Sequence, residues 1–166
     1  MYDILITGSC TKEIGSIKSS LHSEFSIIDF GLLRQFLGLK IEKYKVGIKA
    51  NQPKHAVDLL LKFKMAGCKA SNFPFLSGIK LGEFGASPLV DNSLYIQLVG
   101  SLLYLTHSRP NLEYVVGVVS IYMYYIDEIH RKAANIILHY VQGTKHFGVH
   151  YDVGSPQELV GFTDFD

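Results

Sequence analysis

Cysteine occurs only twice, at Cys10 and Cys68, with no CxxC pair between them. That scarcity excludes a disulfide framework and a cysteine-built structural zinc, and points to reduced thiols in an intracellular chain. Charge is also sparse. Charged residues make up 19% of the 166, and 16 basic against 15 acidic side chains leave a formal net charge of +1. So small a balance gives no global attraction to nucleic acid or to an anionic membrane, and leaves only a local patch to consider. The chain opens with no basic segment ahead of a long apolar core, so it carries no secretory signal pattern. The greasiest run, "YVVGVVSIYMYYI", has 13 residues, short of the roughly 18–20 that a membrane helix needs, and reads as a buried helix. Proline numbers only 5 while hydrophobic residues reach 48%, which argues against disorder and for a chain able to bury a core.

The pattern along the chain is mixed. "DILITG" predicts a short buried strand ended by Gly8, and "TKEIGSIKSSLHSEF" predicts a helix bearing Ile14, Ile17, Leu21 and Phe25. "RQFLGLKIEKY" and "VGIKANQ" predict a hairpin around "YKVG", with Ile41 and Ile48 facing a core. Pro53 then opens a helix with Ala56, Leu60 and Phe63 on one face, expected to stop near Gly67. Residues 69–90 mix Gly, Pro and Ser without periodicity and read as a connection. Beyond it, Asp91 is placed to cap a helix carrying Leu94, Leu98, Leu102 and Leu105. Pro110 opens a second with Leu112, Val115, Val116, Val119 and Met123, and a third runs from roughly Glu128 to Val141 with Ala133, Ile137 and Val141 on it, terminated at Gly143. "FGVHYD" and "ELVGFTD" flank a turn at "VGSPQ" as two further strands.

No glycine-rich phosphate loop, HExxH pair, EF-hand loop or G-x-S-x-G elbow is present. His146 and His150 would lie roughly 13 Å apart along a strand, too far to share a metal. Arg109, beside a helix start, is either a phosphate contact or a structural arginine in a capped turn. Asp3, Asp164 and Asp166 stand at strand ends, where carboxylates serve as metal ligands only when several converge; singly they are solvated termini. Lys40, Lys43, Lys45, Lys49 and Lys54 gather on and beside the hairpin. Such a cluster suits phosphate contacts, and suits equally a hairpin edge protected against pairing with another chain.

Two long blocks carry a resemblance. "LLRQFLGLKIEKYKVGIKANQPKHAVDLLLKFKMAGCKASNFP" and "YIQLVGSLLYLTHSRPNLEYVVGVVS" resemble, in order, blocks of the Ty1/copia-type retrotransposon reverse transcriptase, part of a Pol polyprotein. Tyr95, Leu98, Val99, Gly100, Tyr104, Leu105, Arg109 and Pro110 match its Y-R-x-L-V-G-x-L-x-Y-L-x-x-T-R-P pattern, and the likeness covers nearly the whole chain. It implies an α+β fold: residues 1–68 as residual palm strand and helix, hairpin and first thumb helix; 69–90 as linker; 91–146 as helical thumb and connection; 147–166 as the first strands of an incomplete ribonuclease H-like domain.

The same resemblance gives the acids roles. "MYDILITG" matches the family's Y-V-D-D strand, with Asp3 in place of the second aspartate and Tyr2 in place of the first, or with Tyr2 as the motif's own tyrosine after a small deletion. Either way one palm carboxylate is missing. "GFTDFD" is similar to the start of ribonuclease H, and Asp164 matches its first metal-binding aspartate, Asp166 its second. Fingers, the earlier palm aspartate and the remaining ribonuclease H acids have no counterpart here. The implied protein is therefore a truncated and inactive piece of an RNA-directed DNA polymerase. Its parent uses Mg2+ or Mn2+, with incomplete sites at Asp3 and Asp164 that bind no ion productively here. Its partners would be an RNA/DNA primer–template duplex and the missing polymerase and ribonuclease H portions, with no membrane. Lys40, Lys43, Lys45, Lys49, Lys54 and Arg109 would meet the nucleic acid. Two other readings are a non-catalytic duplex-binding module and a non-functional gene-model fragment with exposed core surfaces.

Overall fold

A strand needs neighbours to satisfy its backbone, and a helix needs only itself. The contrast is visible at once in the computed structural model, which describes residues 4–75, 81, 92–124 and 126–154. Residues 4–8, the described part of the buried strand expected at "DILITG", form no strand, and Ile4 is 65% exposed. The next segment does form its helix, α1 (Thr11–Glu24), which buries none of its residues. Its apolar stripe of Ile14, Ile17 and Leu21 ends at Phe25, and Ile17 and Phe25 are exposed. Beyond α1, Asp29 accepts from the backbone N–H of Gly31 at 2.8 Å and pairs with Lys18 at 3.0 Å. The chain divides into two compact units, Met1–Leu33 and Arg34–Asp166.

The second unit begins with a sheet in the order β1 (Gln35–Phe36), β2 (Leu39–Tyr44), β3 (Gly47–Asn51), β4 (Gly148–Asp152), each pair antiparallel. The expected hairpin is β2–β3, turning at Lys45 and Val46. Gly148–Asp152, within the expected strand "FGVHYD", adds the fourth strand against β3. Ile41 is half-buried, but Ile48 is exposed, contrary to its expected core position. It lies across from Lys43 on one side and Tyr151 on the other, both exposed as well.

The core is helical. α2 (Pro53–Lys62), α3 (Asn92–Thr106), a 3-10 turn (Pro110–Leu112), α4 (Glu113–Ser120) and α5 (Glu128–Gly143) pack together. Leu60, Val99, Leu102, Leu105, Leu112, Val116, Val119, Ile137, Leu138 and Val141 are sealed between them. Each such side chain contributes roughly 1.5–3 kcal/mol of burial. α2 stops at Lys62 rather than near Gly67 because Lys64 enters the left-handed region at φ 57. There its N–H bonds Leu61 O at 3.1 Å, and Met65 N–H bonds Leu60 O at 2.8 Å, the paired closure of a Schellman motif. On α3, Tyr95 takes the inward place and Leu94 is 56% exposed, because 95, 98, 102 and 105 are the positions that keep to one face. Within the apolar run expected as one helix, α4 ends at Ser120; Tyr122 and Met123 then make i→i+3 turns, and Ile121 and Tyr124 are exposed.

α5 starts as expected, with a cap the periodicity could not reveal. Asp127 and His130 form a capping box, the His130 ring accepting the Asp127 N–H at 2.9 Å. His130 lies stacked on Tyr122 and faces the Leu81 carbonyl at 3.2 Å. No helix among the described residues is long and apolar enough to cross a membrane.

Candidate nucleic-acid interface

In an antiparallel ladder, opposed residues share a face and successive residues alternate. The observed register therefore places Lys40, Glu42, Tyr44, Lys49, Asn51, His150 and Asp152 on one face of the sheet. Ile41, Lys43, Ile48, Ala50, Val149 and Tyr151 lie on the other. Lys45 sits in the turn and Lys54 in the first turn of α2. The five lysines singled out from the sequence thus surround the hairpin rather than converge on one face.

On the polar face they are not all equal. Lys40 Nζ meets Glu42 at 2.5 Å, and Asn51 Nδ2 donates to the other Glu42 oxygen at 3.1 Å. The Lys40 hydrogen bond holds the Glu42 carboxyl below the usual carboxylate range, with Asn51 and the charge of Lys49 adding to it. Lys40 is in turn partly neutralised. Further along, the Tyr44 hydroxyl donates to Asp152 and lies 3.3 Å from His150 Nδ1; the Asp152 contact raises the phenol's pKa. Lys43, Lys45 and Lys54 are exposed and make no ion pair among the described residues.

The base of the hairpin is fastened to the helices by groups that sequence reasoning missed. Gln52, buried, directs its amide nitrogen to Ser108 Oγ at 2.8 Å, Leu105 O at 3.2 Å and Tyr104 O at 3.3 Å. The Tyr104 hydroxyl donates to Leu37 O at 2.7 Å. Buried polar side chains look like surface ones in a sequence, since only the fold supplies their partners.

Arg109 is 2% exposed. Its Nη1 and Nη2 donate to the Thr144 carbonyl and Oγ1, both at 2.9 Å, and its Nε to Asn111 Oδ1 at 3.2 Å. The guanidinium lies 5.6 Å from the Tyr140 ring centre and 5.4 Å from that of Phe147. Burial pulls its pKa down and Tyr140 opposes that pull. Thr144 caps the C-terminus of α5, whose unpaired carbonyls and negative dipole end favour a cation. Arg109 thus joins the 3-10 turn to the end of α5.

Asp3, Asp164 and Asp166 lie outside the described residues, as do Asp91, most of the 69–90 connection and "ELVGFTD". Among the described residues no three His, Cys, Asp or Glu side chains gather so as to hold a metal ion. The described part therefore offers no fit for a divalent cation.

The profile of the family described as reverse transcriptase (RNA-dependent DNA polymerase) matches residues 1–77. The retrovirus-related Pol polyprotein from transposon RE1 of Arabidopsis thaliana is 32% identical over 99% of this chain, covering 11% of its own length. An uncharacterized mitochondrial protein of the same plant is 31% identical over 99% of this chain and 68% of its own. The chain belongs to the copia-type reverse transcriptase family. The retrovirus-related Pol polyprotein from transposon TNT 1-94 of Nicotiana tabacum is a further member, 31% identical over 99% of this chain and 13% of its own length. The chain thus spans only about a tenth of the copia-type Pol polyproteins it matches. No solved structure matches it significantly.

Proposed function

We propose that this copia-type reverse transcriptase segment holds a primer–template duplex through the β2–β3 hairpin and does not polymerise or cleave nucleic acid by itself. The observation that carries the reading is the hairpin itself, flanked along β3 by β4: among the described residues, exposed Lys43 and Lys45 make no ion pair and stand toward its tip, with Lys49 and Lys54 nearer its base. Phosphate contacts need charge and position more than base identity, and a hairpin anchored at its base supplies both. Arg109 is not part of this interface, since its donors are engaged inside the protein. The parent reaction would be RNA-templated addition of deoxynucleotides, with a ribonuclease H activity downstream; Mg2+ or Mn2+ would serve both.

Catalytic silence rests on the stretch Tyr2–Asp3, which supplies one carboxylate where the palm strand of the family carries two. In the parent, Asp3 would share a palm metal site and Asp164 would open the ribonuclease H site. The test is an incorporation assay with purified protein, a primed RNA template, deoxynucleotides and either Mg2+ or Mn2+. No extension and no RNA cleavage are expected. Extension abolished by Asp3→Ala, or cleavage abolished by Asp164→Ala, would overturn the proposal.

A further inference from the structure

We propose that Tyr104 is a positioning residue that latches the Leu37–Gly38 turn to α3 and so sets the angle at which the lysine hairpin meets a duplex; the inference rests on the nucleic-acid reading above. Leu37 adopts φ 46, a left-handed conformation that branched side chains rarely take, and Gly38 follows at φ 77. Leu37 is also 71% exposed, so burial of its side chain does not hold the strained turn in place. Besides the β1–β2 pairing that the turn joins, the Tyr104 hydroxyl holds it, donating to Leu37 O at 2.7 Å. The fit is close: a Cβ at Gly38 would overlap that hydroxyl and stand 3.0 Å from Tyr104 Cζ.

Tyr104 cannot easily swing away. Its ring is flanked edge-on by His55, with centres 4.7 Å apart at 87°, and by His107, at 5.6 Å and 83°. His55 is itself fixed, because its Nε2 lies 2.9 Å from the Ser101 carbonyl, an acceptor to which it must donate. The register puts Lys40 opposite Asn51, so the Leu37–Gly38 turn and Gln52 both sit at the base of the hairpin. Tyr104 and Gln52 are thus two ties at one end of the β2–β3–β4 sheet, whose other end carries Lys43 and Lys45 and is held together by Val153 N–H on Val46 O at 2.6 Å. Five residues of strand extend roughly 17 Å, and a tilt of about 10° at the base would move the tip by about 3 Å, a whole hydrogen-bond length.

The conservative variant Tyr104→Phe keeps the ring between the two histidines and removes only the tie. In the full chain it should weaken binding of a primer–template duplex by about five- to tenfold at fixed salt, because a rigid duplex needs the lysines at fixed positions. Binding of heparin, a flexible polyanion that can follow a tilted hairpin, should change less than about twofold. Gly38→Ala should act in the same direction, and more mildly in the Tyr104→Phe background, where the overlapping hydroxyl is gone. Equal weakening toward both ligands would reduce Tyr104 to a structural role, and unchanged duplex binding would remove the latch; either overturns the inference while leaving the nucleic-acid reading standing. A wild-type protein that binds no duplex overturns that reading, and this inference with it.

Discussion

Lys64 ends α2 in a backbone conformation that glycine adopts without strain and lysine does not, at φ 57. Nothing in its surroundings ties the side chain down by an ion pair among the described residues. Lys64→Gly should therefore stabilise the protein by about 1 kcal/mol, read as a rise in Tm of about 2–4 °C for a chain of this size; a fall would show that the lysine stem contributes packing. Tyr95 makes the opposite kind of residue-scale statement. It is buried and its hydroxyl donates to Val119 O at 2.8 Å; burial first, and Tyr122 second, push its pKa above the ordinary tyrosine value. A phenol whose folded pKa is raised favours the fold fully below the unfolded value of ~10, and that contribution is lost as pH rises toward the folded pKa. Stability should accordingly decline above about pH 10, and Tyr95→Phe should flatten the decline while costing about 1 kcal/mol at neutral pH through the lost hydrogen bond. Denaturant midpoints across an alkaline pH series would check this. An unchanged slope in the variant would assign the decline to other groups.

At the scale of the element, the β2–β3 hairpin is where charge and geometry meet. Glu42 holds Lys40 and Asn51 and so takes one cation out of the polar face. Glu42→Gln should release Lys40 and raise duplex affinity by about threefold at low salt, with the gain disappearing as salt screens it; anisotropy titrations would detect it, and weaker binding would show that Glu42 instead holds the hairpin in shape. The hairpin itself was legible because the strand pattern and its turn are local properties of residues 34–52. The same holds for α2, α3 and α5, whose periodic Leu60, Leu102 and Ile137 reached the core as expected. What stayed hidden depended on partners distant in sequence: β4 joining β3, Arg109 reaching Thr144, and Tyr104 reaching Leu37. The strand at "DILITG" was misread because an apolar run specifies a buried strand only where neighbouring strands complete the ladder. Leu94 and Tyr95 show the limit of periodicity on α3, a helix apolar almost all round, where adjacent residues compete for one inward position.

At the scale of the whole molecule, the unit Arg34–Asp166 combines a helical core with a sheet whose two faces differ in chemistry, and the unit Met1–Leu33 holds a helix that buries none of its own residues. Membership of the copia-type family says what such parts belong to. The residues proposed for chemistry, Asp3 and Asp164, stand near the two ends of the chain, and those proposed for binding stand on the hairpin between them. The proposed function requires the hairpin to bind a duplex electrostatically. The most direct measurement is the affinity for a duplex across a salt series, in wild type and in a Lys43→Gln/Lys45→Gln variant. If the unpaired lysines displace about four counterions, affinity should fall by about 100-fold between 50 and 200 mM salt, and the variant should lose about half of that slope. Binding that is absent at low salt, or a slope indifferent to the two substitutions, would contradict the central claim.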